Sequence, residues 1–241
     1  MPKVAILHTS FVFVTVDPVF QELFAELMPD VEVIDFVDSD VLARVRKDGG
    51  ITPSSTERMR HMALAAEAAG VDLIFSACSS LGPALDEAQR SVHVPIVKVD
   101  EAMAEQAVLA GSRIGVLATV PTTLRPTSDL VRAAAARFGR QVETIERLCE
   151  GAFDLLMGGD RSAHDAEVLR GAQDLAQTCD VIVLAQASMA RLAPMLSART
   201  GKPVLASPRT GVEDVRRRLS ELDGTDAAVA SAAPASEGSP R

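Results

Sequence analysis

The sequence of 241 residues contains no tryptophan and no tyrosine, so its aromatic rings are those of 8 phenylalanines. No phenolic hydroxyl is available as an acid or base, and a stacking platform for a nucleobase or flavin is disfavoured. Cysteine is scarce, and Cys78, Cys149 and Cys179 are widely spaced, which favours reduced thiols over a disulfide framework. Cysteine and histidine do not cluster at ligand spacing, so we expect no metal site.

Excess positive charge and long apolar runs are lacking as well. The net charge of −9 argues against a nucleic-acid partner, which needs clustered lysine and arginine. The longest apolar runs fall short of the ~18 residues of a membrane-spanning helix, so no membrane partner is expected. The first residues have no signal-peptide pattern, which predicts a cytoplasmic location. A glycine-rich phosphate loop is also missing, which argues against a nucleotide cofactor.

Short β-branched runs alternate with longer amphipathic stretches along the chain, which indicates an α/β fold with parallel sheets covered by helices. The predicted strands are 3–8, 31–37, 71–76, 94–99, 113–118, 142–146, 180–185 and 203–206. The predicted helices are 18–28, 54–69, 82–91, 101–110, 122–138, 162–178, 189–199 and 211–222. A capping box formed by Ser54 and Glu57 is expected at the start of the second helix.

The chain also contains an internal repeat. The segment Val71–Leu81 is similar to Cys179–Met189, and the Pro95 strand is similar to the Pro203 strand at the same offset. Such a repeat predicts two pseudo-symmetric lobes of parallel sheet with an active site in the cleft between them. Cys78 of the first copy then faces Gln186 of the second.

The repeat also suggests how the chain divides into lobes. We expect lobe one to contain residues 1–98 together with the C-terminal helix 211–222, which crosses back onto it. Lobe two then contains residues 99–208. Residues 223–241 lack periodicity and apolar bulk, which predicts a disordered tail.

Cys78 is the main candidate for catalysis. It follows a buried strand and precedes a helix that begins near Gly82, where the helix dipole is expected to lower the thiol pKa and favour a thiolate. A thiolate there would act as a base or nucleophile. The alternative is a buried structural cysteine, which is also our interpretation of Cys149 and Cys179.

Small polar residues occupy the ends of the predicted strands, where parallel sheets bind ligands. The hydroxyls and neighbouring backbone N–H groups suit a carboxylate or a phosphate. His8 is either a substrate contact, a proton carrier or a loop residue, and Arg125 either pairs with a substrate or faces solvent. His61, His93 and His164 are expected at the surface. The candidate substrate-binding residues are His8, Thr9, Ser10, Ser79, Ser80, Thr119, Thr122, Thr123 and Ser188.

These segments resemble the aspartate/glutamate racemase superfamily, which includes hydantoin racemases, maleate isomerases and arylmalonate decarboxylases. The resemblance covers most of residues 1–215. Its most specific parts are the turn Ala77–Ser80 and the segment Val181–Met189, supported by the strand of Val94–Val97 and by Gly115–Thr119. It implies two pseudo-symmetric lobes, catalysis without cofactor or metal, and a role for Cys78 as the first catalytic cysteine.

Gln186 stands where the superfamily has its second cysteine. Glutamine has no titratable proton, so it cannot serve as a second base, although its amide can donate a hydrogen bond to an enolate oxygen. We therefore expect a cofactor-independent racemase or isomerase that acts on a small carboxylic acid or amino-acid derivative through one thiolate.

Other interpretations remain open. A one-thiol decarboxylase, a cis–trans isomerase of the same superfamily and a non-catalytic carboxylate-binding protein are the main alternatives. A periplasmic-type solute receptor is a weaker one. The resemblance also implies a homodimer, because family members often form one.

Overall fold

Two four-stranded parallel sheets form the framework of the protein. The computed structural model describes the backbone of residues 1–231 and, within them, all side chains except those of residues 223 and 225–231. The first sheet has the order β2-β1-β3-β4 and the second β6-β5-β7-β8. The strands are β1 (Lys3–His8), β2 (Glu32–Val37), β3 (Leu73–Ser76), β4 (Ile96–Lys98), β5 (Arg113–Ala118), β6 (Glu143–Leu148), β7 (Val181–Leu184) and β8 (Val204–Ala206).

Helices cover both faces of each sheet, which explains why the central strands are apolar at almost every position. All four residues of β3 and all four of β7 are buried. The helices are α1 (Val19–Leu27), α2 (Val41–Lys47), α3 (Pro53–Ala68), α4 (Gly82–Gln89), α5 (Glu101–Ala110), α6 (Pro121–Arg137), α7 (Ala152–Met157), α8 (Arg161–Ala176), α9 (Ala193–Thr200) and α10 (Ser207–Ser231).

The two sheets have equivalent topology and register. In the first sheet Leu7 of β1 lies opposite Ser76 of β3, and in the second Leu117 of β5 lies opposite Leu184 of β7. The segments that follow β3 and β7 therefore begin at equivalent positions, at the carboxyl ends of the two sheets. The α/β fold with two pseudo-symmetric parallel sheets is confirmed, whereas the lobe bounds of 1–98 and 99–208 stay predictions.

The last helix, α10, packs against the first sheet. Its residues Val212, Val215 and Leu219 are buried in one apolar cluster with Phe20 and Phe24 of α1. The helix is longer than the predicted 211–222, so the first part of the predicted tail of 223–241 is helical. That part is rich in alanine, which has the highest helix propensity. Residues 232–241 lie outside the described part of the chain.

Three local predictions differ from the structure. The capping box that begins α3 is formed by Thr52 and Ser55 and not by Ser54 and Glu57, because Pro53 takes the first helical position. The short helices α2 and α7 were not predicted, although they occupy equivalent positions after β2 and β6. The predicted helix 189–199 is a 3-10 segment, Ala187–Leu192, followed by α9.

Among the residues that the structure describes, no helix is both long enough and apolar enough to cross a membrane.

Candidate active site

A cavity of about 250 Å³ lies between the carboxyl ends of the two sheets. Segments that follow β1 and β3 line one side of it, and segments that follow β5 and β7 line the other. This is where parallel α/β sheets bind ligands. Of the predicted site residues, those that line the cavity are His8, Thr9, Ser10, Cys78, Ser79, Ser80, Thr123, Gln186 and Ser188.

Cys78 and Gln186 occupy equivalent backbone positions. Cys78 is extended, with φ −134° and ψ 113°, and a 3-10 turn of Ser79–Leu81 follows it. Gln186 is also extended, with φ −142° and ψ 134°, and the 3-10 segment Ala187–Leu192 follows. The internal repeat in the sequence therefore places one thiol and one amide at matching sites of the same cavity.

The sulfur of Cys78 is almost enclosed, with the residue 8% exposed. Burial raises the pKa of this thiol, and the charge of Asp100 adds to the effect. Hydrogen bonds from the Thr9 hydroxyl and from the backbone N–H groups of Ser80 and Leu81 favour the thiolate and partly offset the burial. The predicted lowering of this pKa is therefore wrong, because desolvation outweighs the donors at the turn.

Gln186 is oriented by the start of the segment after β5. Its Oε1 accepts hydrogen bonds from the Thr119 N–H at 2.6 Å, the Thr119 hydroxyl at 3.1 Å and the Val120 N–H at 3.1 Å. Backbone N–H groups only donate, so this contact assigns the oxygen and the nitrogen of the amide. The Nε2 of Gln186 is left as a donor. Thr119, predicted to bind substrate, instead holds this side chain and does not line the cavity.

His8 ends β1, is 1% exposed and is one of the residues that line the cavity. Its Nε2 lies 2.8 Å from Oδ1 of Asp35 on the neighbouring strand β2. Burial lowers the pKa of His8, and the hydrogen bond and charge of Asp35 oppose that shift. The Nδ1 of His8 is buried and has no hydrogen-bond partner among the described residues.

Two short helices that were not predicted complete the cavity wall. Leu42, Ala43 and Arg46 of α2 line it from one side, and Phe153 and Met157 of α7 line it from the other. The guanidinium of Arg46 lies over the Phe153 ring at 4.4 Å from its centroid, a cation–π contact that joins the two lobes. Each helix has fewer than two full turns, so its periodicity gives little signal in the sequence.

Ser80 and Thr122 connect the two halves at the cavity edge, with their hydroxyl oxygens 3.5 Å apart. Thr122 does not line the cavity, whereas Thr123 does, and its hydroxyl donates to the Val120 carbonyl at 2.8 Å. The predicted hydroxyl residues thus divide into those that face the cavity and those that support its walls.

The remaining singled-out residues lie away from the cavity. Cys149 and Cys179 are buried in the core of the second lobe, beside Gly171 and Gly115 respectively.

The prediction that His164 lies at the surface is wrong: it is buried in α8, with Nδ1 2.7 Å from Asp165. No sequence pattern indicated that this face of α8 is covered. The side chains exposed to solvent are His61, His93 and Arg125.

No group of three or more histidine, cysteine, aspartate or glutamate side chains within the described residues has the geometry of a metal site.

A sequence model of the Asp/Glu/Hydantoin racemase family matches residues 17–215. The match spans most of the chain, and the chain belongs to this family. No curated protein matches its sequence.

Solved structures share the fold at low sequence identity. A glutamate racemase isoform from Bacillus anthracis is 14% identical, with a TM-score of 0.69 over 92% of this chain and 82% of that one. An allantoin racemase from Pseudomonas fluorescens is 18% identical, with a TM-score of 0.66 over 92% of both chains. An unliganded arylmalonate decarboxylase is 16% identical, with a TM-score of 0.57 over 90% of this chain and 92% of that one.

Proposed function

We propose that the protein is a cofactor-independent isomerase of the racemase type, acting on a small carboxylic acid or amino-acid derivative through Cys78. The observation that carries this proposal is the pairing of one thiol and one oriented amide at equivalent positions of a single cavity. Family membership supports the reaction class. The names of the structural neighbours, which include racemases of glutamate and allantoin, agree with substrates of this size.

The cavity offers separate regions for the two ends of such a substrate. Arg46 supplies positive charge, and Ser10 supplies a hydroxyl donor for a carboxylate. Phe13 and Phe153 belong to apolar walls that suit a hydrocarbon or aryl side chain. A substrate with a carboxylate and an apolar substituent on the same carbon satisfies both regions.

Cys78 is then the proton carrier at that carbon. Its thiolate is stabilised by Thr9, Ser80 and Leu81, and it removes the α-proton. Negative charge develops on the substrate carboxylate as the enediolate forms. The free Nε2 of Gln186 donates to that oxygen, as an oxyanion-hole group does.

One-thiol decarboxylation is the second candidate. The replacement of the second thiol by Gln186 favours it, and so does the raised pKa of Cys78, because a protonated thiol is ready to donate a proton to the enediolate left by carbon dioxide. Both candidates use the same sulfur and amide. They differ in whether a C–H or a C–C bond is broken.

Proton NMR in deuterated water separates these reactions. The wild-type protein is incubated with D- and L-glutamate, D- and L-aspartate, 5-benzylhydantoin, 2-phenylpropionate, phenylmalonate and maleate. We expect deuterium at the α-carbon of at least one acid that keeps its carboxylate, because the thiolate exchanges its proton with solvent.

Each other result favours a different function. Loss of carbon dioxide from phenylmalonate alone identifies the decarboxylase, and a changed maleate alkene signal identifies the cis–trans isomerase. A rise in Tm with these acids but no reaction identifies a carboxylate-binding protein. The cytoplasmic location and the homodimer stay predictions.

A further inference from the structure

Proton return needs a second carrier, and the described cavity wall has few candidates. The titratable side chains in it are His8, Cys78 and Arg46. Arginine does not deprotonate in proteins, so it does not serve as a proton carrier. Gln186 and the serine and threonine hydroxyls do not titrate in the physiological range either. Only His8 is left to carry a second proton.

The hydrogen bonds of His8 define which ring nitrogen is available. Its Nε2 lies 2.8 Å from Asp35 Oδ1, and the Gln21 amide donates to the same oxygen at 3.2 Å. A carboxylate accepts hydrogen bonds, so the neutral imidazole carries its proton on Nε2. Nδ1 is then a bare acceptor, buried and without a partner among the described residues.

His8 and Cys78 approach the cavity from different sides. They leave neighbouring strands, since Leu7 lies opposite Ser76 in the pairing of β1 with β3. Cys78 belongs to the apolar cluster on one face of the sheet, with Leu7. The His8 ring lies 6.4 Å from the Phe20 ring, which is buried on the other face. The two side chains therefore belong to opposite faces of the first sheet, at the end of the sheet that adjoins the cavity.

We propose that His8, positioned by Asp35, is the second proton carrier of this site and works with Cys78 in place of the missing second thiol. The inference rests on the proposed function and adds the group that makes inversion at the α-carbon feasible.

The proton count closes over one cycle. In the resting site the sulfur holds a proton and His8 Nδ1 holds none. Before substrate binds, solvent in the cavity carries that proton from the sulfur to Nδ1, which gives a thiolate and an imidazolium. The thiolate then takes the α-proton, and the electron pair of the C–H bond passes into the carboxylate as an enediolate. The imidazolium returns a proton from Nδ1 to the opposite side of the carbon, which restores thiol and neutral imidazole without an oxidant or reductant.

The test measures alkylation of Cys78 by iodoacetamide as a function of pH, with the modified peptide quantified by mass spectrometry. The charged groups that bear on the pair are Asp35 at His8 and Asp100 at Cys78. In the wild type, a minor thiolate–imidazolium form is in equilibrium with the neutral pair at a ratio that does not depend on pH, so it is expected to give a plateau of reactivity around neutral pH. In His8→Gln the plateau is lost, and the rate near pH 7 falls about tenfold or more.

The variants are chosen to separate proton transfer from structure. Glutamine at position 8 keeps a donor for Asp35 but cannot titrate, and Asp35→Asn is expected to shift the plateau to another pH range. The matched control is His164→Gln, which alters a buried histidine that also pairs with an aspartate but lies outside the cavity. It should retain the wild-type profile. Superimposable profiles for wild type and His8→Gln would overturn the proposal.

Two further measurements keep the outcome decisive. Nitrogen-15 NMR of the wild-type histidine rings is expected to show His8 protonated on Nε2 alone at neutral pH, and the opposite tautomer overturns the proposal even if His8→Gln fails to fold. With an acid that the wild type racemises, His8→Gln should slow interconversion of the enantiomers ~10²-fold or more. The alkylation and NMR results need no substrate, so they stay informative even when every acid fails to react.

Discussion

At the scale of single residues, the chemistry of the cavity depends on which polar atoms are left without a protein partner. The Oε1 of Gln186 accepts hydrogen bonds from Thr119 and Val120, which leaves its Nε2 as a donor. The Nε2 of His8 is hydrogen-bonded to Asp35, which leaves its Nδ1 as an acceptor. Among the described residues, these two lining side chains therefore supply one donor and one acceptor without a partner, in a cavity that also holds a thiol. That combination suits a substrate whose charge moves between carbon and oxygen during the reaction.

Arg46 gives the first residue-scale prediction. Replacing it with alanine removes the cation that we expect to pair with the substrate carboxylate, so KM should rise about tenfold or more while kcat changes less. Steady-state kinetics on an acid found active in the NMR screen measures both constants. Arg44→Ala is the control, since Arg44 lies on the same helix, pairs with Asp40 and does not line the cavity. An unchanged KM for Arg46→Ala would refute the assigned role.

At the scale of elements, the sequence predicts the parts of the fold that have a clear period or an apolar run. The strands β3 and β7 are continuous apolar runs, and each was placed close to its observed position. The helices α2 and α7 are too short for a periodic signal, so the walls that they form and the contact between Arg46 and Phe153 were missed.

The prediction for the Cys78 pKa failed for a related reason. The sequence shows that a thiol precedes a helical segment, which favours the thiolate, but it does not show how completely the surrounding elements exclude water. Burial is a property of the assembled lobes, and at Cys78 it outweighs the local donors. The same limit explains His164, because its polar neighbours in the chain favour an exposed position although α8 buries it.

The packing of α10 gives the element-scale prediction. A Cβ added at Gly211 would lie 2.6 Å from the Val99 carbonyl oxygen and 3.2 Å from the Phe75 ring. Gly211→Ala therefore forces the helix away from the first sheet and should lower the free energy of unfolding by about 1–3 kcal/mol in urea titrations.

Gly224 provides the matched control in the same helix. A Cβ there would meet none of the described atoms within 4 Å, so Gly224→Ala should be neutral or stabilise the protein by up to ~1 kcal/mol through helix propensity. Equal effects of the two substitutions would show that α10 does not pack as described.

At the scale of the whole molecule, the two pseudo-symmetric lobes have matching backbones but carry different side chains at the equivalent positions in the cavity. The two sheets share strand order and register, and both send an extended residue into the cavity ahead of a 3-10 segment. That residue is Cys78 in one lobe and Gln186 in the other. The symmetry of the backbone is thus retained while the chemistry of the two sites differs.

The most direct test of the central claim is the rate of deuterium incorporation at the α-carbon in Cys78→Ala, measured with the most reactive acid of the NMR screen. Cys149→Ala is the control, because Cys149 is buried outside the cavity and burial raises its pKa to about 11. The account predicts that Cys78→Ala keeps the wild-type fold but loses at least ~10²-fold in rate, while Cys149→Ala retains it. A Cys78→Ala protein that incorporates deuterium as fast as the wild type would contradict the account.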